Sequence, residues 1–327
     1  MSLRAEGNSR NGWRRILAIA LSLLITAAFG LAAVYFIDWN AFVAAFAKIS
    51  LPQIVILLLL GLVPVLLRVA RLCVAIGQPV QWIFFRAVTL QGAAVATLPA
   101  KMGEAVLPLA LVRQANYSLP EAVGVLLLLR LYDLLMIMFI GSLALAALAA
   151  DLGWANWRPL LLMGAGATTA AMALFPLLAT YVSAQIPKFI NPEGNIVRLL
   201  DQLSSASRAL SSRRLAGLIL VTALVWGSLF LVFYLAGLFV GATPGITASA
   251  LAGVAGSLAF ALPVNGLANL GPFEAAWASV MAPLGIVPAS AVAAAVLSHF
   301  VLIFCNLALA GLGVLHWGGT RTTGRLI

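Results

Sequence analysis

Two stretches interrupt apolar sequence in nearly the same way: Thr97-Leu98-Pro99-Ala100-Lys101-Met102-Gly103-Glu104, and Ala261-Leu262-Pro263 running to Leu270-Gly271-Pro272-Phe273-Glu274. Each breaks an apolar run at Leu-Pro, restarts it through a glycine and puts a glutamate at the restart. A helix beginning near Lys101 and Gly103 would gather unpaired backbone N–H groups, the positive end of a helix dipole and an ammonium, a combination suited to a phosphate or carboxylate. In the second stretch Asn265 and Asn269 offer caps, Pro272 suits a first helical position and Glu274 falls in the first turn. Glu104 and Glu274 are therefore either helix caps that hold the breaks together or part of a binding site.

A second set of polar residues lies inside apolar segments. Arg130 and Asp133 are three apart in a run that is otherwise apolar from Ala122 to Ala150, so they share one helical face and must pair or face a polar cavity. Arg68 and Arg71 have the same spacing near the end of another run, where they either contribute to a site or reach out to lipid headgroups. Ser298 and His299 lie about ten residues into a late apolar segment, and Asn306 shares the His299 face by i, i+7 spacing. Pro120 and Pro288 open the two segments that carry these groups, which extends the likeness of the two breaks into a weak internal repeat.

The elements that position these residues are membrane helices. Apolar residues make up 63% of the 327 and charged residues 9%, with a mean hydropathy of +1.10, whereas soluble domains carry roughly 25% charged residues. Apolar runs at about 16–37, 52–67, 120–150, 159–183, 215–240 and 288–315 approach or exceed the roughly 20 residues a crossing needs. They are apolar on every face and lack the alternation of barrel strands. The first follows Arg4, Arg10, Arg14 and Arg15, but it is too long for a signal peptide and ends in Tyr35, Phe36 and Trp39, so it reads as a retained span. The expected fold is an all-α polytopic membrane protein with about six full spans and two interrupted segments, at about 83–113 and 247–283. It forms a single integral domain over 1–327, with a first repeat at about 83–150, an amphipathic linker at about 184–214 and a second repeat at about 247–316. Interrupted segments at matching places in two halves are the sequence pointer to a transporter binding site.

Charge gives an orientation. The four leading arginines, Arg68, Arg71 and Arg86, then Lys188, Arg198, Arg208, Arg213 and Arg214, and finally Arg321 and Arg325 all fall on one side if both termini are cytoplasmic. The other side keeps Lys48 and Arg158 with Asp38 and Asp151. The first interrupted segment then enters and leaves from the cytoplasm and the second from outside. The expectation is two oppositely inserted re-entrant helical hairpins, the alternative being ordinary short spans with proline kinks. The net charge of +10 reads as topology and not as nucleic-acid binding, for no basic soluble domain is apparent. The 184–214 segment, with Ile196, Leu199, Leu200 and Leu203 at helical spacing, suits the anionic cytoplasmic leaflet.

Enzyme motifs are not found. The histidines, His299 and His316, and the cysteines, Cys73 and Cys305, are scattered, and there is no zinc spacing, nucleophile elbow or P-loop. No catalytic residue, metal or cofactor is expected, and any transport is passive or coupled to an ion gradient.

Leu98-Pro99-Ala100-Lys101-Met102-Gly103-Glu104, then Tyr117-Ser118, Ala122 and Leu129-Arg130-Leu131-Tyr132-Asp133, resemble the central signature of the lysylphosphatidylglycerol synthase transmembrane-domain family, which includes the flippase domain of bacterial multiple-peptide-resistance proteins. Leu262-Pro263 and Gly271 to Glu274 fit its later turn. Two positions depart from the pattern: Lys101 stands where arginine is usual, turning a bidentate clamp into a point charge, and Ser298 or His299 stands where many members carry a second intramembrane arginine. The soluble aminoacyl-transfer domain of the synthases has no counterpart in these residues, so lipid aminoacylation does not carry over.

The resemblance implies a lipid translocase of the bacterial inner membrane. Its partners would be membrane lipids with an anionic phospholipid or polyprenyl-linked head group. Lys101, Gly103, Glu104, Arg130 and Asp133, with Arg68 and Arg71, would form the entry half of the path, and Asn265, Asn269, Glu274 and His299 the exit half. The alternatives are a membrane-embedded transferase acting on polyprenyl phosphate, with Glu104 or Glu274 as base, and a small-anion secondary transporter. Gly253, Gly256, Gly311 and Gly313 suit close helix contacts within one chain or between two copies.

Overall fold

The computed structural model describes residues 20, 23–24, 26–31, 34–35, 37–98, 102–185, 194–242, 245–262 and 270–322. Among them every regular element is helical. In chain order the helices are α1 (Trp39–Ala47), α2 (Leu51–Ile76), α3 (Trp82–Thr97), α4 (Val106–Gln114), α5 (Leu119–Leu148), α6 (Arg158–Gln185), α7 (Asn195–Arg208), α8 (Ser212–Phe239), α9 (Gly245–Ala261), α10 (Pro272–Met281) and α11 (Pro288–Thr322). Short 3-10 turns occupy Met102–Ala105, Ala155–Trp157 and Ala282–Leu284.

Among the described residues five helical stretches are long and apolar enough to cross a bilayer: Leu51–Ile76, Leu119–Leu148, Ala155–Tyr181, Ser212–Phe239 and Pro288–Leu315. Of the further span expected at about 16–37, the described residues 20, 23–24, 26–31 and 34–35 are helical. α2 runs nine residues past the apolar run that announces it, to Ile76, where Gly77 closes it in the left-handed conformation (φ 69°). Arg68 and Arg71 are therefore helix-interior residues and not loop charges. Arg71 is 3% exposed, so the reading that it reaches headgroups, and its place in the orientation count, are corrected.

α5 is the hub, packing against α2, α4, α6, α7, α8 and α9. Its start is fixed by sequence: Ser118 Oγ accepts the Glu121 N–H (3.4 Å) while Glu121 Oε2 accepts the Ser118 N–H (2.9 Å), a reciprocal cap that spends two otherwise orphaned donors. The linker helix α7 docks on α5 and α6. Val197, Ser204 and Ser207 face inward while Leu199 is exposed, and Gly124 of α5 brings the Gln202 backbone and Ala206 into contact.

The two interrupted segments become pairs of short helices. α3 has 16 residues and α4 has 9; α9 has 17 and α10 has 10. At about 1.5 Å per residue no leg reaches the roughly 30 Å of a hydrocarbon core. Within each pair the legs pack on one another. Glycine permits that closeness. A Cβ at Gly103 would run into the backbone of Ala94 and Val95 on α3, and one at Gly256 would lie 2.7 Å from the Phe273 ring. Gly271 has φ 111°, a conformation that side-chain-bearing residues avoid.

Gly103→Ala should therefore lower stability by about 1–3 kcal/mol, the usual cost of overpacking. Gly166→Ala, at a helical site with no atom within 4 Å of the added carbon, should leave it unchanged or raise it by about 0.5–1 kcal/mol. Thermal unfolding of the detergent-solubilised protein separates the two.

Candidate functional site

The first break delivers Glu104 to the middle of α5. Because the 3-10 turn lies against α3, the Glu104 carboxylate meets Arg130. Arg130 Nη2 donates to Oε1 (2.6 Å) and Oε2 (2.7 Å), Arg130 Nε donates to Oε2 (3.1 Å), and Gln91 Nε2 of α3 adds a bond to Oε2 (2.9 Å). Among the described residues no backbone N–H donates to Glu104, whose described partners are the side chains of Arg130 and Gln91.

Three residues further along α5, Asp133 is the buried centre, 7% exposed. Arg71 of α2 donates to both of its oxygens, with Nη2 to Oδ2 at 3.1 Å. Arg130 Nη1 donates to Oδ2 (3.0 Å) and Trp226 Nε1 of α8 donates to Oδ1 (2.9 Å). Arg68 lies one helical turn before Arg71, and its charge faces Asp133, Arg71, Arg130 and Glu104. Arg68, Arg71, Glu104, Arg130 and Asp133 thus form one cluster built from α2, the turn after α3 and α5, with Gly103 next to Glu104 in that turn.

Burial grades across the cluster. The Arg71 side chain is 4% accessible, whereas that of Arg130 is 42%. Arg130, Leu134 and Met138 are all exposed on α5, and their i, i+4, i+8 spacing puts them on one face. The charged cluster opens onto an apolar strip.

The second break delivers Glu274 to α11. Glu274 Oε2 accepts the Gly271 N–H (2.7 Å), so here the capping role is realised. Glu274 Oε1 lies 2.7 Å from His299 Nδ1, with both residues 7% exposed. The rings of Phe273 and Phe260 stand 5.5 and 6.1 Å from the imidazole. Ser298 turns inward and spends its hydroxyl on the Ala295 carbonyl (2.9 Å). Lys101, Asn265 and Asn269 lie outside the described residues. No group of three or more potential metal-binding side chains occurs among the described residues.

Gln91 and Trp226 were not anticipated. Gln91 is a lone amide in an apolar stretch shortly before a helix break, a signal that could have marked it. Trp226 reads as an ordinary apolar residue, and only the folded structure reveals its indole N–H as a ligand of Asp133.

Each break thus brings a glutamate onto an ionisable residue of a long apolar helix, Glu104 onto Arg130 and Glu274 onto His299. The family described as "Lysylphosphatidylglycerol synthase TM region" matches residues 16–310. The chain belongs to this family. Membership makes it a multi-pass membrane protein with a lipid-related function. No curated protein and no solved structure matches the chain.

The hierarchy of the cluster is open to measurement. In this family member Asp133→Asn should destabilise by about 3–5 kcal/mol, because it leaves the buried Arg71 guanidinium without its counter-charge. Trp226→Phe removes one hydrogen bond to a carboxylate that two arginines still hold, and should cost about 1.5–3 kcal/mol at most. Denaturation in detergent that ranks Trp226→Phe as the more damaging would show that Asp133 is not the anchor.

Proposed function

We propose that the protein is a lipid translocase that moves an anionic phospholipid or polyprenyl-linked head group between leaflets of the bacterial inner membrane. The observation that carries this reading is the junction on α5, where the exposed edge of the charge cluster at Arg130 runs directly into the apolar strip of Leu134 and Met138. A lipid needs that juxtaposition: polar groups for the head beside an apolar surface for the chains. A small soluble anion would be better served by a site walled off from hydrocarbon. Engagement of both Glu104 oxygens by Arg130 and Gln91 favours an electrostatic role for Glu104 over that of a catalytic base, which sets the transferase reading behind.

In this proposal the two short-helix pairs are re-entrant hairpins of opposite insertion related by a pseudo-two-fold axis, the first opening to the cytoplasm and the second outward, with both termini cytoplasmic. Irregular backbone at mid-membrane depth is tolerated where protein or a water-filled path surrounds it. The first hairpin with Lys101, Glu104, Arg130 and Asp133 takes the head group in. The second, with Asn265, Asn269, Glu274 and His299, passes it on.

Leaflet exchange of a labelled phosphatidylglycerol, in liposomes containing the purified protein, tests the proposal. Glu104→Gln and Arg130→Ala should each slow exchange about tenfold or more, the scale of a lost charge-assisted contact. Full-rate exchange by correctly folded Arg130→Ala protein would sink it.

A further inference from the structure

Counting hydrogen-bond capacity in the cluster separates one arginine from the others. A carboxylate offers about four lone-pair sites. Those of Asp133 are taken by two nitrogens of Arg71, one of Arg130 and the Trp226 indole. Glu104 is likewise occupied by Arg130 and Gln91. Among the described residues Arg68 donates no hydrogen bond and forms no ion pair, although its charge faces this whole group. The described cluster holds three guanidinium groups (Arg68, Arg71, Arg130) against two carboxylates (Glu104, Asp133), so its surplus is one positive charge, and that charge resides on Arg68.

An uncompensated cation at such a place has a cost. The end of α2 at Ile76 lies eight residues beyond Arg68, about 12 Å of helix, and the flanking Arg71 and Arg130 repel it. Arg68 is also only partly buried, so a ligand can reach it where none can reach Arg71. We infer that Arg68 is the residue that takes the phosphodiester of a membrane lipid. Arg130, by contrast, is a positioning residue whose charge is already spent on Glu104 and Asp133. A guanidinium matches phosphate oxygens with two parallel N–H donors, and a phosphodiester's single negative charge neutralises the surplus. The apolar strip beside Arg130 points to a lipid-borne phosphate over a free one. The inference rests on the lipid reading above but is read out by binding and not by exchange, so a protein that binds without moving lipid would remove the translocase and leave Arg68 in place.

The test is titration of the delipidated, detergent-purified full chain with phosphatidylglycerol, with diacylglycerol of the same chains and with inorganic phosphate, monitored by native mass spectrometry and thermal unfolding. The wild type should retain phosphatidylglycerol and not diacylglycerol, with inorganic phosphate a poor competitor. Arg68→Gln should weaken retention about tenfold or more and Arg68→Lys by less. Without lipid, Arg68→Gln should unfold at the wild-type temperature or above it, since repulsion is relieved, while Arg71→Gln should unfold at a lower one. Undiminished phosphatidylglycerol binding by Arg68→Gln, or a fall in its unfolding temperature matching that of Arg71→Gln, would overturn the assignment. Inorganic phosphate competing on equal terms with the lipid would overturn the lipid half of it.

Discussion

One carboxylate, Asp133, holds the centre of this molecule. It gathers Arg71 from α2, Arg130 from its own helix and Trp226 from α8, so three membrane-length helices share a single anion. A buried ion pair of this kind is weak evidence for stability, because desolvation consumes much of the Coulombic gain. It does specify geometry. Helices in a bilayer lack a hydrophobic drive to associate, and many packings of apolar faces are close in energy. A carboxylate that must meet two guanidinium groups and an indole admits few of them. The register of α2, α5 and α8 follows from that requirement, and the first hairpin then has a fixed partner, since Arg130 reaches Asp133 with one nitrogen and Glu104 with two others.

α11 ties the two broken segments into one body. His299 meets Glu274 of the second hairpin. Seven residues on, about 10 Å along the helix, Asn306 lies against Gly92 of the first hairpin, where an added Cβ would meet its amide. Asn306 Nδ2 is satisfied within α11 by the Leu302 carbonyl (2.7 Å), while its Oδ1 is buried without a partner among the described residues. The two hairpins are thus both keyed to one face of α11, one through a titratable pair and the other through a tight backbone approach. A shift of α11 would be felt at both.

What could be read from sequence follows from where the information lies. The i, i+3 spacing of Arg130 and Asp133 is local, and it placed both on one face of one helix, where they are. The helix breaks were legible because proline and glycine act on their own backbone. The true length of α2 was not legible: an apolar run is expected to end at arginine, and only a counter-charge 62 residues away allows the helix to carry Arg71 into the interior. Gln91 and Trp226 escaped for the same reason, since their roles are set by partners 13 and 93 residues distant. The two glutamates looked alike because their local settings are alike. Their difference, one capping Gly271 and paired with His299, the other bound by Arg130 and Gln91, is wholly tertiary.

The uneven spending of charge is what turns a structural cluster into a site. Had the three arginines met three carboxylates, the group would be closed and an arriving phosphate would have to break a pair worth as much as the contact it offers. Two carboxylates with four hydrogen bonds each leave Arg68 without a direct partner among the described residues, while the fully buried Arg71 bears the structural load. Arg130 stands between these extremes. It is bonded to both carboxylates yet exposed at the apolar strip, so a ligand drawn to Arg68 would sit beside a guanidinium whose orientation Glu104 and Asp133 have already fixed. Fixed neighbours and a single free charge favour entry of an anion at little reorganisation cost, and the same surplus, once neutralised, gives that anion no further charge to hold it.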